Sequence, residues 1–216
     1  MSVSVQDSLL DLGSAADEPS VGPLGAAVRR TRLAHGAWVD ICPGWLRGSG
    51  EVFAQLLESV PWRAEQRPMY DRVVAVPRLQ CFYGEDTPLP HPVLTAARQA
   101  LDEHYRPELG EPFRTAGLCL YRDGRDSVAW HGDTIGRGQR EDTMVAIVSL
   151  GTARPLLLRP RARQRGGGDS LRFEVGHGDL LVMGGSCQRT WEHAVPKTTR
   201  NIGSRISVQF RPQGVR

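Results

Sequence analysis

The chain has 216 residues, 40% of them hydrophobic and 24% charged, with a net charge of +3 and a pI near 8.9. This length carries one sizeable core, no apolar run approaches a membrane span, and the N-terminus has neither the basic start nor the apolar centre of a signal peptide, so a cytoplasmic monomer with no membrane partner is expected. Cys42, Cys81, Cys119 and Cys187 show no Cys-x-x-Cys spacing, which argues against a zinc ribbon or a disulfide framework.

Residues 1–27 are small, polar and punctuated by Gly, Pro and Ser, and are expected to form a flexible leader to a single domain over 28–216. "GSGEVFAQLLESV" predicts a short helix with Ser49 as its N-cap and Val52, Phe53, Leu56 and Leu57 as its apolar stripe. "HPVLTAARQALDEHY" predicts a second helix, with Pro92 in its first turn and Val93, Leu94, Ala97 and Leu101 at helical spacing. From about residue 115 the period changes: "AGLCLY", "TMVAIVSL", "PLLLRP", "LRFEV", "DLLVMG" and "RISVQF" are short aliphatic runs bounded by Gly, Pro or Asp. Such runs are strands of a sandwich or barrel. The fold class is therefore mainly β with flanking helices, a sandwich over about 115–211 buttressed by N-terminal helices.

The tripeptide His-Gly-Asp occurs twice, at His131–Asp133 in "WHGDT" and at His177–Asp179 in "EVGHGDLLVMGG". On extended backbone, residues i and i+2 share a face, so His-x-Asp presents two ligands for a metal. The second copy joins two strand runs and reads as a tight turn, with Gly178 supplying backbone freedom and Asp179 bonding its own neighbours. The first copy is the better metal pair, and His193 in "TWEHAVP", 60 residues after Asp133, is the best third ligand. His35 falls near the leader, and His91 and His104 flank a helix as surface or capping residues. Two histidines and a carboxylate form a facial triad that leaves three positions open on Fe(II). Arg205 and Arg211 in "RISVQFR" fall on one face of one strand, and arginines pointing into a sandwich are costly unless they hold an anion.

These features occur in the order "PRLQCFYGED", "YRDG", His131-Gly132-Asp133, "VSLG", the second His-Gly-Asp with its "GG", His193 and Arg-x5-Arg, spanning about 77–211. In this the chain resembles the AlkB family of Fe(II)- and 2-oxoglutarate-dependent dioxygenases, which remove alkyl groups from nucleobases. The resemblance implies a double-stranded β-helix (jelly-roll) fold and Fe(II) held by His131, Asp133 and His193. It also implies O2 as the oxidant and 2-oxoglutarate held by Arg205 with Tyr121 nearby, while Arg211 supports the carboxylate near iron. Decarboxylation of 2-oxoglutarate to succinate would drive hydroxylation of an N-alkyl carbon, and the product would collapse to the free base and an aldehyde. Cys119 and Ser207 stand where the family often has asparagines that touch the co-substrate. Ile135 stands where many members carry a carboxylate that reads the damaged base.

An alkylated nucleic acid, DNA before RNA, is the partner the resemblance implies. Tyr83 and Trp130 are candidates to stack on an extruded base, while Phe82 is read as core. Arg161 and Arg163, with Arg154, Arg159 and Arg165, are read as a cationic hairpin able to grip phosphates. Lys197 is the sole lysine among 27 basic residues, a bias expected of a GC-rich bacterial genome and no evidence by itself for nucleic acid. Two other readings stand beside this one. The same iron chemistry could hydroxylate a small metabolite or protein side chain, an option that Ile135 keeps alive, or the triad could serve a zinc hydrolase or cupin-like binding protein. Cys187 is read as structural, since nothing nearby lowers its pKa.

Overall fold

The computed structural model describes residues 18–69, 72–134, 136–161 and 170–215. In chain order the elements are β1 (Ser20–Val21), β2 (Arg29–Arg32), β3 (Ala37–Cys42), β4 (Leu46–Arg47), α1 (Ser49–Ser59), β5 (Arg63–Met69), β6 (Arg72–Tyr83) and α2 (Pro92–Leu109). The second half follows as β7 (Thr115–Tyr121), β8 (Val128–His131), β9 (Val145–Gly151), β10 (Arg154–Pro160), β11 (Leu171–Val175), β12 (Asp179–Gly185), α3 (Cys187–Thr190), β13 (Trp191–Val195) and β14 (Arg205–Arg211). An eight-stranded sheet of order β2-β3-β12-β9-β14-β7-β6-β5 faces a four-stranded sheet of order β11-β10-β13-β8. Every pairing is antiparallel, which is the jelly-roll sandwich expected.

Two cores follow from strand alternation. On the outer face of the large sheet, Leu118, Leu120, Val148, Ile206, Val208 and Phe210 bury against Val52 and Leu56 of α1 and Leu94, Ala97 and Leu101 of α2. Between the sheets, Tyr121, Ile147, Leu181 and Met183 meet Leu156, Leu158, Trp191 and Val195. The site lies in this inner layer.

The six strand runs read from the sequence are β7, β9, β10, β11, β12 and β14. The N-terminal third is a different matter, because it holds strands as well as helices. β2 and β3 form one end of the large sheet and β5 and β6 the other. The outermost strand at each end, β2 "RRTR" and β5 "RAEQRPM", is rich in arginine and lacks apolar alternation, so it gives no periodic signal. β1 pairs with β4, and Val21 and Leu24 pack on the outer core, so folded chain begins inside the stretch read as a leader; residues 1–17 lie outside the described residues. Ser49 is the first helical residue of α1 and not its cap, which is Gly48 with φ 63°. His91 does cap α2, its Nδ1 accepting from Val93 N at 3.1 Å. His35 sits not in a leader but in the turn between β2 and β3.

One buried polar cluster ties α2 to the sheet. Asp40 of β3, 2% exposed, takes a bidentate pair from Arg30 at 2.8 and 2.9 Å and a bond from the Tyr105 hydroxyl at 3.0 Å. Arg30 reaches on to Glu108 and lies 3.6 Å over the Trp38 ring. Asp40→Ala would leave the Tyr105 hydroxyl buried without its partner, and should lower stability by about 1–3 kcal/mol in urea titration with no change in metal affinity.

Candidate metal centre

β8 and β13 are neighbours, with His131 directly opposite His193, and their rings stand 4.2 Å apart. Asp133, two residues beyond the end of β8, turns back so that one ligand atom from each of His131, Asp133 and His193 lies within 4.8 Å of the others. His131 Nδ1 lies 2.9 Å from the Ala129 carbonyl; with the proton on Nδ1 it donates there, and Nε2 is left for a metal. Burial works against the charge on Asp133, but the Arg211 guanidinium paired with it outweighs that cost, and its pKa falls to about 2. Burial and the neighbouring His131 pull His193 down to about 3, so its imidazole is neutral and ready to coordinate. The result is two imidazoles and one carboxylate on one side of a point, a donor set that suits Fe(II) with open positions. His131 keeps 39% of its side chain exposed, against 6% for Asp133, so the centre is open on the histidine side.

Residues invisible to motif reading hold this loop. The Asp133 amide donates to Gln188 Oε1 at 3.0 Å, from α3. Gly132 has no room for a side chain: a Cβ there would stand 2.5 Å from the Gln188 carbonyl and 2.5 Å from Arg161 Nη2. Gly132→Ala should displace the loop that joins the two ligands and weaken divalent-metal binding by roughly 10–100-fold, the scale of lost outer-shell support. A Mn(II) titration of the folded variant checks it.

Arg205, 3% exposed, donates from Nε to Ser149 Oγ at 2.8 Å and stands 5.3 Å from the Tyr121 ring. Among the described residues no carboxylate lies within ion-pair distance of it. Burial presses its pKa down, the mark of a buried cation that lacks a counter-ion. A dicarboxylate reaching in from the metal would supply one. Ser207 and Cys119 face each other on β14 and β7 in the same layer. Arg211, six residues along, donates from Nε to Asp133 Oδ2 at 2.9 Å. Its guanidinium runs over Gly117, where a Cβ would meet Nη1 at 3.0 Å. Gln209, which sequence reasoning missed, links the two ends: Oε1 accepts from Arg211 Nη2 at 2.7 Å, and Nε2 donates to Ser207 Oγ at 3.1 Å and to Cys119 Sγ at 3.5 Å. Its signal was the two-residue period of Arg205, Ser207, Gln209 and Arg211. Gln188, in an unpatterned turn, gave none. The site thus pairs three residues able to hold a metal with a buried cation that has no carboxylate partner among the described residues, and a zinc-bound water has no use for the latter.

The second His-Gly-Asp is the turn expected of it. Gly178 has φ 80°, Asp179 accepts from the amides of Gly176 and Gly44, and His177 Nδ1 accepts from Gly151 N. Cys187 is buried, and burial pushes its thiol up to about 12, as befits a structural residue.

Several substrate-side expectations are corrected. Tyr83 is 8% exposed in the outer core, on the far side of the sheet from the metal, whereas Phe82 is 53% exposed. The alternation of β6 decides this: Leu79, Cys81 and Tyr83 face the helices, leaving Phe82 on the other side. Trp130 lies under Arg159 at 4.3 Å, and Arg159 is ion-paired with Glu192. Glu192 alternates with His193, so that group covers the outer face of the small sheet. The cationic hairpin is smaller than its sequence suggests. Arg154 is 2% exposed and spends its guanidinium on the carbonyls of Asp123, Asp126 and Pro196. Arg161 packs on the ligand loop and donates to the Gln188 carbonyl at 3.3 Å. Arg163, Arg165 and Ile135 lie outside the described residues.

A family model described as the 2OG-Fe(II) oxygenase superfamily matches residues 42–211. The alpha-ketoglutarate-dependent dioxygenase alkB homolog 3 of Homo sapiens is 30% identical over 90% of this chain and 69% of its own length. The Bos taurus protein of the same name is 31% identical over 80% of this chain, which spans only 65% of that relative. The DNA oxidative demethylase ALKBH2 of Arabidopsis thaliana is 26% identical over 76% of this chain and 62% of its own length. Among solved structures, that of OsALKBH1 superposes with a TM-score of 0.58 at 14% identity, over 86% of this chain and all of that one, a likeness of fold. The chain belongs to the 2OG-Fe(II) oxygenase superfamily, on its AlkB-like side.

Proposed function

We propose that this chain is an oxidative demethylase of alkylated nucleobases in DNA. The oxygenase half of that reading rests on the triad and on the buried Arg205 without a counter-ion. The nucleobase half is carried by one observation: a half-exposed aromatic ring, Phe82, sits opposite Gly117, against which lies the guanidinium of Arg211, the partner of Asp133. A base extruded from its stack needs such a ring beside the metal. The relatives named as DNA oxidative demethylases favour DNA over RNA.

The donor set fits Fe(II), held by His131, Asp133 and His193. When bound, Fe(II) and 2-oxoglutarate supply O2 activation: 2-oxoglutarate gives succinate and CO2, and one oxygen atom goes to the alkyl carbon. The protein does the positioning. Arg205 takes the far carboxylate of 2-oxoglutarate in a charge-assisted pair, with Ser149 fixing its orientation. Arg211 holds Asp133 ionised and aimed, and Gln209 keeps Arg211 flat along the sheet. Ile147, Leu158 and Trp191, buried in the same layer between the sheets, keep the inner side of the site apolar. The hydroxylated N-alkyl carbon then breaks from nitrogen, which gives the free base and an aldehyde.

The test is succinate release from purified protein with Fe(II), ascorbate and 2-oxoglutarate, with and without a DNA or RNA oligonucleotide bearing 1-methyladenine or 3-methylcytosine. His131→Ala serves as the blank. Turnover stimulated by the DNA, with loss of the methyl mass, supports the proposal. Turnover that ignores every oligonucleotide defeats it and leaves the metabolite reading that Ile135 keeps alive.

A further inference from the structure

Along β6 the side chains of Arg78, Gln80 and Phe82 share the face opposite Leu79, Cys81 and Tyr83, and so point into the inner layer. Gln80 lies across from Cys119, to which its Nε2 donates weakly at 3.7 Å. Arg78 Nη1 reaches the Ser127 carbonyl at 3.3 Å. Yet Arg78 Nε and Gln80 Oε1 are both buried with no hydrogen-bond partner. One is an obligate donor and the other an acceptor; Thr143 Oγ1, Arg154 Nε, Arg161 Nε and Gln188 Nε2 share that state, but Arg78 and Gln80 are the two that stand on the strand carrying the exposed Phe82, on its face of that strand. Arg205 on β14, on the other side of β7, is the cation assigned above to the anionic end of 2-oxoglutarate, which leaves Arg78 and Gln80 for a different partner. The side of the site facing β6 is therefore an aromatic ring with one unmet donor and one unmet acceptor deeper along the same strand.

We propose that Arg78, Gln80 and Phe82 are the substrate-reading strip, and that it selects bases whose alkylated ring nitrogen lies between an amine and a carbonyl. This rests on the nucleobase reading above. Phe82 stacks on the base, Arg78 Nε–H donates to the carbonyl, and Gln80 Oε1 accepts from the amine. 3-Methylcytosine presents both groups. 1-Methyladenine has the amine but only a C–H on the other side of the alkylated nitrogen, and 3-methylthymine has carbonyls on both sides. Each of the latter leaves one buried group unmet, which is how a polar site rejects a near-isostere. The strip also supplies what Ile135 cannot, since a hydrocarbon side chain has no hydrogen bond to offer a base edge.

The experiment compares kcat/KM of the full chain on three oligonucleotides that differ only in the lesion: 3-methylcytosine, 1-methyladenine and 3-methylthymine. The expected order puts 3-methylcytosine ahead of each of the others by about tenfold or more. Arg78→Met should erase the advantage over 1-methyladenine, Gln80→Leu the advantage over 3-methylthymine, and Phe82→Ala should depress all three alike. The dissociation constant of 2-oxoglutarate, read by tryptophan fluorescence with Mn(II) in place of iron, should stay unchanged in all three variants and certifies their fold. Equal rates on the three lesions, or a rise in the 2-oxoglutarate constant in Arg78→Met, would overturn the assignment while leaving the demethylase intact. Succinate release with no lesion consumed would overturn both.

Discussion

Asp133→Asn is expected to bring succinate production down to the level of the His131→Ala blank and to lower Mn(II) affinity by more than about 100-fold. Loss of outer-shell support alone costs 10–100-fold, and this change removes the only anionic ligand of the triad. The asparagine is nearly isosteric. It keeps the amide bond to Gln188 and leaves Gly132 undisturbed, so the effect is one of charge and not of shape. A second consequence follows in the metal-free protein. Arg211, whose side chain is 13% exposed, loses the carboxylate it now holds at 2.9 Å, and breaking a buried pair from one side costs about 3 kcal/mol. The variant should therefore unfold at lower urea as well as fail to bind metal. Full Mn(II) affinity in the variant, measured by titration, would remove Asp133 from the ligand set.

What could be read in the sequence was what depends on local pattern. β7, β9, β10, β12 and β14 are aliphatic runs with sharp boundaries and both terminal arginines lie on β14, while the triad, on and just beyond β8 and on β13, was legible as a motif. The ends of the large sheet could not be read, because "RRTR" is exposed along its whole length and carries no buried face to leave a trace. The exchange of Tyr83 and Phe82 has the same origin. Adjacent aromatics on a strand must face opposite ways, but which one faces the core is fixed only by pairing, here Tyr83 against Ala116 and Leu79 against Leu120. The arginine hairpin shows a further limit. Five arginines between residues 154 and 165 with no acidic residue among them look like a phosphate grip, but the groups that engage Arg154 and Arg159 lie 28 to 42 residues away in sequence. Charge is visible in a sequence; the partner that consumes it is not.

Arg205 and Arg154 make the distinction between a functional and a structural cation measurable. Both guanidiniums are buried, at 3% and 2% exposure. Arg154 donates to three backbone carbonyls at 2.6 to 3.1 Å, whereas Arg205 meets the Ser149 hydroxyl at 2.8 Å and the neighbouring Tyr121, and no carboxylate among the described residues. Removing a cation whose two amino nitrogens are held by carbonyls leaves those carbonyls unpaired, so Arg154→Met should destabilise the protein by about 3 kcal/mol, little of it visible in co-substrate affinity. Removing an unsatisfied one relieves a desolvation cost. Arg205→Met should leave the ligand-free protein as stable as before or more so, by up to about 1–4 kcal/mol. Its 2-oxoglutarate affinity should fall by about 2–5 kcal/mol, more than roughly 30-fold, because the far carboxylate then enters a pocket without its partner. Urea titration without ligand and calorimetric titration with 2-oxoglutarate read the two effects separately. If Arg205→Met instead lost stability as Arg154→Met does and still bound 2-oxoglutarate, Arg205 would be a strut of the sandwich, and the anion pocket would have to lie elsewhere.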